Sequence, residues 1–113
     1  MSIVKDAIEE TDWLYAKSQW EMEQFLGNYY TGALLKVINE AAWDFISLPT
    51  DWNYTVKTKN IFILQLTEEN ACVRAYFIEI EIFSGEEFFN VIDYYLAKTE
   101  KGWRITDYQR MQQ

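Results

Sequence analysis

The chain has no histidine, and it has one cysteine, one proline and four glycines among 113 residues. Without histidine, neither a Ser-His-Asp triad nor a histidine-ligated metal site can form. The single cysteine, Cys72, cannot form an intramolecular disulfide, which fits a reducing, cytoplasmic location and a buried packing role. The four glycines are too scattered for a phosphate-binding loop. The sequence is therefore poor in the residues that catalytic, metal and phosphate sites use.

Positive charge and long apolar runs are also scarce. Ten Lys and Arg residues stand against 18 Asp and Glu residues, a formal net charge of −8. Such a chain repels phosphate backbones, so we expect no nucleic-acid partner. No signal peptide or membrane-spanning run is visible, so we expect no membrane association. The simplest role of the acidic surface is to keep the protein soluble. The same charge is also compatible with a second function, that of an acidic inhibitor or immunity protein that blocks a basic enzyme.

Apolar residues are abundant and periodic. Half of the chain is hydrophobic and 18% is aromatic, which predicts one compact domain over residues 1–113. From Val4 to Leu26, apolar residues recur every three or four positions, and this spacing predicts one helix of about six turns. A second helix is predicted from about Thr31 to Ile46, with Pro49 just past its end.

From Tyr54 onward the apolar period changes to two. This pattern predicts strands at about residues 54–66, 71–83, 88–98 and 103–111. The connecting segments are short enough for hairpins, so neighbouring strands should be antiparallel. The helices need a large apolar surface on which to bury their stripes. The sequence therefore predicts an α+β fold in which N-terminal helices pack on a curved four-stranded antiparallel sheet.

Apolar residues on both faces of this predicted sheet favour self-association. A two-layer monomer normally leaves one sheet face polar. A β-bulge explains part of the pattern, and a second chain on the outer face explains the rest, so we expect a homodimer. Phe89 and Tyr95 are the interface candidates on the third strand. Trp13 and Trp20 lie opposite the main stripe of the first helix, where either the second helix covers them or they form a docking groove or a dimer seam.

A pocket between the helices and the sheet is a further expectation. On strict alternation, Trp103 and Asp107 point toward the helices, Tyr94 shares their side, and Tyr15 reaches it from the first helix. Asp107 would be the candidate general base, with tyrosines as hydrogen-bond donors to an oxyanion. The simpler interpretation is that Asp107 caps a backbone group or reaches solvent. Paired acids on one strand lack further ligands at suitable spacing, so we expect no metal ion and no cofactor.

A tyrosine-rich strand, the Gly102 turn and the sequence Trp103-Arg104-Ile105 carry a resemblance to a known group. Together with the element order, they make nearly the whole chain resemble the nuclear-transport-factor-2-like superfamily, the cystatin-like α+β cone. Within it, residues 52–57, Trp-Asn-Tyr-Thr-Val-Lys, and residues 102–105 are similar to the IMS-type domain of cyanobacterial and plastid division proteins. The resemblance implies a cone-shaped sheet around a helix, frequent dimers, and a ligand pocket or a protein-docking surface.

The resemblance also bears on activity. Ketosteroid isomerases of the superfamily use an Asp base with a Tyr and a second acid, and only the residue types of Tyr15, Tyr94 and Asp107 can be compared with them. Its dehydratases typically need histidine, which is absent here, and IMS-type domains are not known for catalysis. The leading hypothesis is a non-catalytic binding or dimerisation module. The alternatives are a small-molecule pocket protein, in the form of a lyase or isomerase of the ketosteroid-isomerase type, and the acidic inhibitor.

Overall fold

A computed structural model describes residues 2–47 and 54–111. These residues form α1 (Ser2–Glu9), a 3₁₀ turn (Asp12–Tyr15), α2 (Gln19–Leu26), α3 (Gly32–Ser47), β1 (Tyr54–Leu66), β2 (Asn70–Glu81), β3 (Glu87–Thr99) and β4 (Gly102–Arg110). The strands make one antiparallel sheet in the order β1-β2-β3-β4. The predicted α+β architecture is confirmed. Pro49 and the residues Trp52 and Asn53 lie outside the described ranges.

The predicted six-turn helix is wrong as a single element. The chain leaves the helical path after α1 and passes through the 3₁₀ turn before α2 begins. The Glu10 carboxylate accepts a hydrogen bond from the backbone N–H of Asp12 at 2.7 Å. Ser18 then caps α2, because its hydroxyl accepts the backbone N–H of Glu21 at 3.1 Å. Local hydrogen bonds from short polar side chains therefore interrupt a helix that the apolar spacing favours.

The core lies between α1 and the face of the sheet that points toward the helices, here called the inner face. Val4 of α1 is fully buried against the sheet, in one cluster with Val73 of β2 and Ile105 of β4. Alternate residues of β2, from Ala71 to Phe77, supply the centre of this face. The opposite face of the sheet, here called the outer face, is not covered by any helix of the described residues. The short helix α1 therefore fills the concave side of the sheet.

A β-bulge at Thr106 changes which side chains of β4 point toward the helices. The extra residue shifts the alternation by one, so that Asp107 pairs with an outward-facing position of β3 and is exposed, while Tyr108 turns inward. The ring of Tyr108 lies beside that of Tyr94, with 6.4 Å between centroids. The prediction that Asp107 points toward the helices is wrong, because strict alternation does not hold across a bulge.

Candidate functional site

A cavity of about 440 Å³ lies between the helices and the inner face of the sheet. Its volume falls within the range of roughly 300–1,000 Å³ that small-molecule pockets occupy. The walls are mainly apolar and come from the helices, the 3₁₀ turn and the first three strands, and they include Ile8, Trp13, Phe25, Ile38, Phe45 and Phe77. The arrangement suits an apolar molecule or an apolar side chain.

One carboxylate at the cavity, that of Glu10, is already engaged by hydrogen bonds. The Tyr29 hydroxyl donates to it at 3.0 Å, and the backbone N–H of Asp12 donates at 2.7 Å. The Asp12 N–H is the main cause of the lowered pKa of Glu10. Burial, together with the hydrogen bond to Glu10, raises the pKa of Tyr29 to about 12. A carboxylate with a lowered pKa is a weak proton acceptor, so this pair is unsuited to general-base chemistry.

A second carboxylate at the cavity, that of Glu79, belongs to a polar chain that sequence reasoning missed. Asn90, with 6% of its surface exposed, donates its amide N–H to Glu79 at 3.0 Å. The Asn90 carbonyl oxygen accepts a hydrogen bond from the guanidinium of Arg110. Asn90 thereby links an acid of β2 to a base at the end of β4. An asparagine on the inner face of β3, between the apolar residues Phe88 and Ile92, was the available signal.

Two buried or half-buried tyrosines, Tyr30 and Tyr94, also line the cavity. Burial raises the pKa of Tyr30 to about 12, and it raises the pKa of Tyr94 as well. Both hydroxyls are therefore protonated and uncharged at neutral pH. Each can hydrogen-bond a polar group of a ligand that is otherwise apolar.

The four predicted pocket residues do not come together. Tyr94 is buried and lines the cavity. Tyr15 lies on the 3₁₀ turn with 78% of its surface exposed, and Trp103 packs against the core cluster. Asp107 lies on the outer face, where its carboxylate accepts the backbone N–H of Tyr108 at 2.8 Å. The cavity exists, but its walls differ from the predicted set and do not include the predicted base.

The two tryptophan candidates have different surroundings. The ring of Trp13 contacts that of Phe45 on α3 edge-on, with 6.1 Å between centroids, and its indole N–H donates to the carbonyl of Glu10 at 3.0 Å. A neighbouring helix therefore covers Trp13, as one of the two sequence interpretations held. Trp20 on α2 keeps 69% of its surface exposed. The break between the helices also prevents the two side chains from aligning along one face.

The outer face of the sheet combines exposed aromatic residues with a paired charge. Phe89 and Tyr95 lie there, 62% and 37% exposed, and Phe62 is 51% exposed. At its centre, the Arg74 guanidinium donates to both carboxylate oxygens of Asp93, at 2.7 and 3.0 Å. This carboxylate raises the pKa of Arg74. Because the two charges neutralise each other, the middle of the outer face is apolar apart from one closed ion pair.

Residues 2–47 and 54–111 lack two further features, a cluster of metal ligands and a membrane-spanning helix. Within these ranges, no three acidic or cysteine side chains converge in a way that could hold a metal ion. No helix in the same ranges has the length and apolar character needed to cross a bilayer.

No protein-family model matches the sequence, and no curated protein matches it either. Two solved structures are similar in fold. The intermembrane space region of the chloroplast protein ARC6 matches with a TM-score of 0.65 and 14% identity, over 99% of this chain and 93% of that chain. A putative aromatic ring hydroxylase from Novosphingobium aromaticivorans matches with a TM-score of 0.58 and 15% identity, over 95% and 88%. The resemblance found in the sequence is confirmed at the level of the fold: the chain adopts the nuclear-transport-factor-2-like α+β cone.

Proposed function

We propose that this protein is a non-catalytic binding module that forms a homodimer through the outer face of its sheet. The observation that carries this proposal is the outer aromatic patch, defined as Phe62, Tyr76, Phe89 and Tyr95 around the Arg74–Asp93 ion pair. Exposed apolar patches of this kind usually mark protein interfaces.

A second copy of this chain is the partner that fits the patch. The chain carries a net charge of −8, so two copies repel each other over most of their surfaces. The closed ion pair leaves the centre of the outer face without net charge. In a two-fold contact each copy presents the same face, so aromatic residues meet aromatic residues and the central Arg74–Asp93 pair brings no net charge into the contact.

Replacing Phe89 with aspartate is expected to halve the molecular mass of the particle in solution. The new carboxylate would lose water inside the interface without gaining a cation. Light scattering or sedimentation equilibrium at low micromolar concentration should show a dimer for the unaltered chain and a monomer for Phe89→Asp. The matched control is Trp20→Asp, because Trp20 is as exposed as Phe89 but lies on α2. Equal masses for the unaltered chain and Phe89→Asp would contradict the proposal.

The cavity favours a second function, which is the binding of a small apolar molecule with one polar group. Its walls are apolar, and the hydroxyls of Tyr30 and Tyr94 remain protonated at neutral pH. The lyase or isomerase alternative loses its proposed base, because Asp107 lies on the other side of the sheet. A role as an acidic inhibitor of a basic enzyme stays a prediction from net charge alone.

Filling the cavity with Ala42→Phe is expected to weaken the binding of a neutral apolar dye, N-phenyl-1-naphthylamine, by about tenfold or more. Ala42 lines the cavity, whereas Ala33 on the same helix is exposed and does not line it. Ala33→Phe is therefore the matched control, and it should leave the fluorescence titration unchanged. If both variants bind the dye as the unaltered chain does, the cavity is not the binding site. If only Ala42→Phe weakens dye binding, a thermal-shift screen with steroids, lactones and fatty acids would identify the class of ligand that the cavity binds.

A further inference from the structure

The two edges of the sheet differ in how their backbone groups are satisfied. Along β4, residues 29–31 cover the edge at Ile105, which donates its N–H to the carbonyl of Tyr29 at 2.6 Å and accepts the N–H of Thr31 at 3.0 Å. β1 pairs with β2 along one edge, and no segment of residues 2–47 or 54–111 forms a backbone hydrogen bond with the edge of β1 that points away from β2. An uncovered strand edge is a template for pairing with another strand.

The second half of β1 lacks the charged residues and proline that commonly protect a strand edge. Its sequence over residues 60–66 is Asn-Ile-Phe-Ile-Leu-Gln-Leu, without charge, proline or glycine. Four apolar side chains in this stretch are about half exposed, namely Phe62, Ile63, Leu64 and Leu66. Such segments pair readily with other strands. The first half of β1 is different, because Lys57 and Lys59 stand on it and charged residues discourage pairing.

The order of the charged residues along β1 and the turn after it favours one partner, a second copy of this chain, and one direction of strand pairing. Lys57 and Lys59 precede the apolar stretch, and Glu68 and Glu69 follow it. If two copies pair antiparallel, the lysine-bearing first half of each β1 lies beside the acidic β1–β2 turn of the other copy, while a parallel pair would place like charges together. β1 also contains two lysines and no acid, so this edge lacks the repulsion that the rest of the chain exerts on its copy. We propose that residues 60–66 pair antiparallel with the same segment of a second copy of this chain.

The bulges of β1 limit the strength of this contact. The register between β1 and β2 shifts at Lys59 and again at Leu64, so the regular stretch between them is short. A bulge bends a strand and increases its twist, which shortens the ladder that a partner can continue. The edge contact is therefore weaker than the outer-face contact. Phe62 belongs to both contacts, but the edge contact uses none of the other residues of the outer aromatic patch, and together the two contacts would link dimers into larger assemblies as concentration rises.

Sedimentation equilibrium of the full chain between micromolar and millimolar concentration tests the edge contact, with the Phe89→Asp background used to remove the outer-face contact. In this background we expect a weak dimer, and adding Leu64→Lys should abolish it because like charges meet at the edge. Val37→Lys is the matched control, since Val37 is 61% exposed but lies on α3. Circular dichroism confirms that each variant is folded.

A charge exchange tests the antiparallel direction. In the Phe89→Asp background, Lys57→Glu alone should weaken the edge dimer by about fivefold, because the first half of each β1 then meets the acidic turn of its copy with like charge. Adding Glu68→Lys in that turn should restore it. A Phe89→Asp chain that remains monomeric throughout would overturn the edge contact and leave the proposed function standing. The edge contact would also be overturned if the Leu64→Lys and Val37→Lys variants associate equally. The same holds if the second charge substitution does not restore the association that Lys57→Glu weakens. If Phe89→Asp changes nothing while Leu64→Lys alone gives a monomer, the outer-face dimer fails and the edge contact stands.

Discussion

Replacing Ile105 with alanine is expected to lower the free energy of unfolding by about 3–4 kcal/mol. Ile105 is fully buried and belongs to the cluster that joins α1 to the sheet. Its backbone also forms the bridge to residues 29–31, so the side chain anchors the point where the loop before α3 meets β4. Removing its methyl groups leaves a void among residues that cannot collapse freely. Because the total stability of a domain is only about 5–15 kcal/mol, the loss is a large share of it.

Urea denaturation measures this loss through the midpoint and the slope of the unfolding curve. Val37→Ala serves as the control, since Val37 is 61% exposed on α3, and its effect should stay within about 0.5 kcal/mol. A loss below about 1 kcal/mol for Ile105→Ala would mean that the site repacks. The interpretation of Ile105 as a rigid anchor would then be wrong.

Replacing Arg74 with methionine is expected to be the most damaging substitution on the outer face of the sheet. The variant keeps the Asp93 carboxylate, only 8% exposed, but removes the guanidinium that binds both of its oxygens. A buried carboxylate without its partner is strongly unfavourable. The melting temperature should therefore fall further than for any other single substitution on this face.

The double variant Arg74→Met/Asp93→Leu distinguishes the loss of a partner from the loss of packing. Removing both charges leaves an apolar face, so scanning calorimetry should show a melting temperature close to that of the unaltered chain. If the double variant melts as low as Arg74→Met, the ion pair does more than neutralise a buried acid. The outer-face dimer should survive in the double variant, because its aromatic residues are unchanged.

Much of the sheet follows from local sequence. The period of two after Tyr54 predicted four strands, and β1 begins and ends where expected. The Gly102 turn is present, with a φ of +108° that favours glycine over other residues. The second predicted helix corresponds to α3 with shifts of one residue at each end. Periodicity works here because a residue must face either the core or water at every second position.

The site was less predictable, because it depends on small departures from periodicity. The Thr106 bulge, where the threonine hydroxyl donates to the carbonyl of Tyr95 at 3.1 Å, exchanges Asp107 for Tyr108 on the inner face. The helix break near Ser18 likewise separates Trp13 from Trp20. One extra residue in a strand has only a small local cost in free energy, but it reverses the sheet face toward which every later side chain of that strand points. No apolar pattern reveals such a residue in advance.

The amino-acid order by itself determined the α+β class, the antiparallel hairpins and the absence of histidine chemistry, because these depend on neighbours in the chain and on composition. Only the tertiary structure decided that Asp93 is paired with Arg74, that Asp107 faces away from the cavity, and that no second strand of residues 2–47 or 54–111 pairs with the far edge of β1. These features depend on which distant residues meet across strands and on where a bulge shifts the register. Contacts between distant residues are set by packing of the whole domain, and no single segment of the chain encodes them.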